Sequence, residues 1–197
     1  MDERSLQRYV RGLKRAHVVI DRGLDAAEVR AIESEYGFQF PPDLKEFLMY
    51  ALPISDHFID WRRTPRSRVL NQLEWPLEGI RFDIAMNTFW MREWGPRPAD
   101  IETAYEIARQ AVAAAPVLIP ILGHRYIPSR PHERDNPVFS VYQTDIIYYG
   151  RTLFDYFENE FYQSFGRPNH QYNEPFKPIE FWSRLVALND GLDPDPV

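Results

Sequence analysis

The sequence predicts a globular domain in which helices surround a central antiparallel sheet, and three observations predict it. Residues 116–150 hold two apolar runs, 117–127 and 138–149, rich in Val, Ile, Tyr and Phe, on either side of a polar turn region at 129–136. That composition suits half-buried or buried strands. Other stretches repeat apolar residues at helical spacing and carry capping residues at their starts. Seventeen prolines against nine glycines point to stiff, sharp connections between these elements.

Size and composition narrow the class. A chain of 197 residues favours one domain with extensions over two full domains. Hydrophobic residues make up 44% and aromatics 15%, enough for a large core. The formal charge of −6 and pI near 5.4 argue against a nucleic-acid binder, which needs a concentrated basic footprint. The chain has no cysteine, which excludes disulfides, Cys-ligated zinc and thiol catalysis. No apolar run approaches the roughly 20 residues of a membrane-crossing helix. The N-terminal stretch MDERSLQRYVRGLKRAHVV is charged throughout, unlike a secretory leader, so a cytoplasmic location is expected.

The elements follow in order. Leu6, Val10 and Leu13 space an N-terminal helix over 4–16, with Arg4, Arg8, Arg11, Lys14 and Arg15 on its other face; this reads as a solvated face on a docking helix rather than a basic recognition helix. Asp25 and Glu28 form a capping-box pattern, Leu24 and Val29 a hydrophobic staple, and Gly37 a left-handed stop. Pro41-Pro42 opens a second helix that buries Leu44, Phe47, Leu48 and Ala51 and is expected to stop at Pro53. The arginines Arg62, Arg63, Arg66 and Arg68 read as a surface segment paired with nearby acids. Thr64-Pro65 caps a short helix with face Val69, Leu70 and Leu73. Ile80, Phe82 and Ile84 alternate with Arg81 and Asp83, a strand period. Trp75, Trp90 and Trp94 lie close in sequence and read as core or a cover over its edges. Asp100 caps a helix to Ala115, whose alanines predict close packing on a sheet. Strands are expected at 117–122, 124–127, 137–143 and 145–149, with Pro120 and Pro128 at an edge or bulge. Thr152 caps a helix to about Phe165. A polar link over 166–177 leads to a last helix that turns Phe181, Trp182, Leu185 and Val186 inward, and a frayed tail over 189–197.

Chemistry-bearing residues are few. His124, Arg125, His132, Glu133 and Asp135 form the richest constellation, whose histidines and carboxylates could ligate a metal across a hairpin, but the spacing matches no metal signature. His132 to Asp135 reads as a hydrated turn and His124 as a histidine bonded to the scaffold. Ser140 lacks nucleophile-elbow glycines, there is no glycine-rich phosphate loop, and Asp145 alone makes no acid/base pair.

Three segments together carry a resemblance: GLDAAEVRAIESEYGFQFPPDLKEFL (23–48), WPLEGIRFDIAMNTFWMREWGPRP (75–98) and LIPILGHRYIPSRPHERDNPVFSVYQTDIIYYG (118–150). In this order they resemble the Smi/Knr-type domain family of the SUKH superfamily. The resemblance implies an α+β fold with a mixed, mostly antiparallel central sheet and helices packed on it. It implies a domain over 23–165, with an N-terminal helical extension at 1–22 and a C-terminal extension with a docking helix at 166–197. It also implies partner binding without a catalytic set. Bacterial members are inferred to be immunity proteins that neutralise a toxin effector, and fungal members regulate cell-wall assembly. The expected function is therefore a cytosolic protein-binding domain of immunity type that acts stoichiometrically on a protein partner, a toxin effector. A regulatory scaffold or adaptor is the alternative, and a metal-dependent hydrolase using His124, His132, Glu133 and Asp135 a more distant one. The expectation includes no enzyme activity, cofactor, metal, nucleic acid or membrane. Trp94, His124, Arg125, Tyr126 and Asp145 are the candidate partner-binding residues, because aromatic and arginine side chains carry most interface energy.

Overall fold

The computed structural model of the chain describes residues 3–166 and 175–192. The expected polar link and the expected frayed tail therefore fall partly outside the described residues. The order is α1 (Glu3–Arg15), β1 (Ile20–Arg22), α2 (Ala26–Tyr36), α3 (Pro42–Tyr50), β2 (Ala51–Pro53), α4 (Arg66–Met86), a 3₁₀ turn (Arg92–Trp94), α5 (Ile101–Ala114), β3 (Leu118–Leu122), β4 (Arg125–Pro128), β5 (Val138–Tyr142), β6 (Asp145–Gly150), α6 (Leu153–Glu160), α7 (Tyr162–Phe165) and α8 (Trp182–Asn189). The fold is α+β. Strands β3 to β6 form a four-stranded meander in sequence order, and β1 and β2 form a separate pair. Every pairing among the described residues is antiparallel, so the expected mixture of directions is not seen.

The meander divides the interior into two cores. Successive residues of a strand face opposite ways. Ile119, Ile121 and Ile127 point into a core with Leu13, Leu24, Phe47 and Phe157, built by α1, α2, α3 and α6. Leu118, Tyr126, Phe139, Val141 and Ile146 point into a second core with Ile80, Ile84, Ala104 and Trp182, built by α4, α5 and α8. Leu13 and Trp182, from the two ends of the chain, are as deeply buried as the residues between them.

Local chemistry explains most boundaries. The Asp25 carboxylate accepts from the backbone N–H groups of Ala27 and Glu28 while Glu28 accepts from Asp25, the complete capping box. Leu24 and Val29 are both buried beside it. Gly37 closes α2 with φ +71°, a conformation in which a Cβ is strained. The second helix ends at Tyr50 rather than at Pro53, and 51–53 turn into β2, paired with β1. Pro120 sits on the edge strand β3, next to a register shift, where its missing donor is tolerated. Thr152 caps α6, but the helix breaks at Phe161 before the one-turn α7. Three of the four arginines of the segment are paired with acids, as expected. Arg62 Nε meets Glu28 Oε1 at 2.6 Å, Arg63 reaches Asp21 at 2.8 Å and Asp60 at 3.1 Å, and Arg66 reaches Glu35 at 3.1 Å.

The principal difference from expectation is α4. Residues 80–84 are not a strand; they continue one helix of 21 residues. Ile80 and Ile84 are one helical turn apart and buried, while Phe82 lies between them on the outer side, so the two isoleucines satisfy both periods and Phe82 only that of a strand. Pro76 lies inside this helix and has no N–H to give the carbonyl of Gln72, four residues back. The Tyr126 hydroxyl, arriving from β4, donates to that carbonyl at 3.0 Å. Helix α5 packs mainly on α4, and its Ala104 and Ala108 are buried in the core that the two helices share with the sheet.

Two outcomes follow from these contacts. Tyr126→Phe should cost about 1–3 kcal/mol by leaving the Gln72 carbonyl unsatisfied. In a Pro76→Ala background the loss should shrink, because an alanine at that position restores the helical donor; denaturant melts of the four proteins measure that coupling. Glu28 is held down at about 2, first by the hydrogen bond from Arg62 and then by the backbone N–H of Asp25. A carboxyl depressed on folding contributes stability above its unfolded value of 4.5, and that contribution is lost as the pH falls through about 2. Thermal melts of Glu28→Gln should show a flatter acid limb across this window.

Candidate partner-binding face

The meander places the β3–β4 and β5–β6 turns at one end of the sheet and the β4–β5 loop at the other. At the first end one sheet face emerges from beneath its helices. Ser140 and Ile147 are paired across β5 and β6, as are Tyr142 and Asp145, and alternation turns these residues away from the Tyr126 core. Tyr142 is 58% and Ile147 42% exposed.

Arg125 marks the border between the covered and uncovered parts of this face. Its Nη1 donates to Ser140 Oγ at 2.6 Å and its Nε to Glu160 of α6 at 3.1 Å. Its guanidinium carbon lies 3.7 Å from the centre of the Tyr149 ring. The cation is thus held by a carboxylate, a hydroxyl and a ring face together. His124 precedes it in the turn and is exposed, with its carbonyl accepting from Val141 N–H at 2.9 Å. Desolvation of the imidazole, then the Arg125 cation, lower its pKa, and Glu160 opposes them. Asp145 is exposed at the start of β6. The end of the sheet therefore offers ring faces, an aliphatic side chain and a shielded cation, which is contact chemistry.

The β5–β6 turn is fixed from two sides. Thr144 donates through its backbone N–H and its hydroxyl to Asp83 Oδ2 of α4, at 2.8 and 2.6 Å. Gly79, one turn earlier on α4, lies so close to Gln143 that a Cβ would sit 2.6 Å from the Gln143 Cα. Asn189 of α8 donates to the carbonyls of Thr144 and Ile146 at 2.8 and 3.2 Å, and Asn159 of α6 donates to that of Tyr149 at 3.1 Å. These side chains occupy carbonyls along the edge strand β6.

Of the five sequence candidates, His124, Arg125 and Asp145 come to this end of the sheet. Tyr126 does not belong on a binding face. It is 0% exposed and points into the opposite core, as the residue after Arg125 must in a strand. Trp94 lies in the 3₁₀ turn after α4, in edge contact with Phe89 and Trp90, beside the Glu93–Arg184 ion pair to α8. Trp75 is not part of that cluster, because α4 carries it elsewhere. The residues of the metal reading are also separated. His124 is in the β3–β4 turn, whereas His132, Glu133 and Asp135 are in the exposed loop at the far end, where Glu133 pairs with Lys177. Among the described residues, no three His, Asp or Glu side chains are arranged to hold a metal ion. Tyr142, Ile147 and Glu160 were missed in the sequence. The first two were legible from alternation through VFSVYQTDII once Val141 and Ile146 are taken as core.

The chain finds no significant match among protein-family models, curated proteins or solved structures.

Gly79→Ala should destabilise the protein by about 1–3 kcal/mol through overpacking. Alanine in an open helical site would instead stabilise by about 1 kcal/mol. Denaturant melts give the sign, and a stabilised variant would disprove the close approach of α4 to the turn.

Proposed function

We propose that this chain is a cytoplasmic protein-binding domain of immunity type, similar to the SUKH superfamily, that neutralises a toxin effector by stoichiometric occupancy and not by turnover. The observation that carries this reading is the uncovered sheet end, where exposed Tyr142 and Ile147 flank the Arg125–Tyr149–Glu160 cluster. Aromatic, aliphatic and arginine side chains on a rigid strand pair are the composition of an interface centre, with His124 and Asp145 at its rim. Among the described residues no helix is long and apolar enough to cross a membrane.

The test is affinity capture from the native host with mass spectrometric identification, followed by titration of the captured partner's activity. Inhibition should end at one chain per partner. Tyr142→Ala and Ile147→Asp should each cost about 2 kcal/mol or more, mostly as faster dissociation. Asp145→Asn should chiefly change the association rate and its salt dependence. Inhibition at catalytic amounts of the chain would overturn occupancy, and folded variants that inhibit like wild type would misplace the face.

A further inference from the structure

Beside this face lies a second feature that the sheet end alone does not explain. Trp75, Glu78, Gly79 and Phe82 of α4 and Tyr142 and Gln143 of the β5–β6 turn line a cleft of about 200 Å³. Trp75 and Phe82 are seven residues apart, on one stripe of the helix, and are 44% and 48% exposed. Gly79 lies between them, and the backbone of Gln143 packs against it and closes the floor of the cleft. The cleft is thus lined by the two rings of α4, with Tyr142 and Gln143 of the turn at its other edge.

Its polar chemistry is acidic. Glu78 lines it, Glu74 lies one turn earlier on α4, and Asp145 follows the turn. Two glutamates four residues apart repel each other on a helix. Arg81 meets Glu78 at 2.8 Å, but its guanidinium lies toward Tyr105 of α5, 5.6 Å from that ring's centre. An exposed pair of this kind adds little and exchanges readily. The formal charge of the whole chain is −6.

We propose that this cleft receives an arginine side chain from a basic segment of the protein partner; the inference rests on the binding function proposed above. Planar guanidinium stacks on Trp and Tyr faces and donates in parallel to a carboxylate, whereas an ammonium does neither as well. The aliphatic stem of an arginine would cover the Phe82 ring. The same hairpin already holds an arginine of this chain in this manner, with Arg125 stacked on Tyr149 and bonded to Glu160. On the α4 side the ring faces and the carboxylate are present, and the arginine comes from outside.

The experiment uses the full-length ¹⁵N-labelled chain and an end-blocked peptide of alternating glycine and arginine, with lysine and citrulline counterparts as controls. The arginine peptide should shift the Trp75 indole N–H signal, assigned with Trp75→Phe, and the Gly79 and Gln143 amides. Binding should weaken about tenfold in Trp75→Ala and in Tyr142→Ala, severalfold in Glu78→Gln, and further as salt is raised. Glu78→Gln alters a surface position, so it keeps the test available if an aromatic variant fails to fold. The lysine peptide should bind more weakly, and the citrulline peptide should leave these signals unmoved. An arginine peptide that moves none of these signals at millimolar concentration overturns the proposal, as does equal binding of the citrulline peptide. Concentration-dependent shifts at the cleft without peptide would show a second copy of the chain there instead. If the cleft binds arginine but no partner is inhibited stoichiometrically, the immunity reading fails and the site stands. If the captured partner is inhibited equally by Trp75→Ala, the cleft is wrong and the reading stands.

Discussion

The hydrogen bond from Tyr126 to Gln72 ties the two halves of the structure together. Pro76 interrupts the ladder of α4 and leaves a carbonyl without its helical partner, and a hydroxyl from the middle of the sheet supplies the donor. That bond joins α4 to β4 where the helix lies across the sheet, against β3 and β5. From this placement follow the contact of Gly79 with the β5–β6 turn, the grip of Asp83 on Thr144 and the burial of Ile80 and Ile84. A proline that would break an isolated helix is retained here because a tertiary contact answers the defect it creates. The second half of α4 is also the part that carries Phe82 outward.

Much of the fold was legible in the sequence. The four strands of the meander stand where runs of Val, Ile, Tyr and Phe alternate between turn signals, and the capping box of α2 is a wholly local device. Signals that depend on distant partners were not legible. A helix running through Pro76 depends on the reach of Tyr126 to Gln72, which no local pattern shows. Ile80 and Ile84 fit a strand as well as a helix, and Phe82 between them fits only the strand. The strands β1 and β2 have three residues each, too few to show a period. At the candidate face, Arg125 and Tyr126 were both selected for their chemistry, although adjacent strand residues cannot share a face.

The two-core arrangement explains why the exposed residues of the hairpin can differ so sharply from their neighbours. Val141, Ile146 and Tyr148 hold the sheet to α4 and α8, and α6 covers only part of the other side. Where α6 ends at Glu160 its last carboxylate closes over Arg125. Beyond that point the strand pair is supported from one side only and stays in place because its turn is bonded to α4 and α8. Rigidity and exposure thus coincide at one hairpin, which lowers the entropic cost of contact there.

The side-chain amides of Asn189 and Asn159 along β6 have a wider consequence. With its Ile146 and Tyr149 carbonyls engaged, this strand is a poorer template for a foreign strand. Side chains of one strand come in two independent sets. Positions 142, 145 and 147 can change in character while 141, 146 and 148 keep the packing intact. The hairpin can therefore change its exposed side chains while its architecture stays fixed.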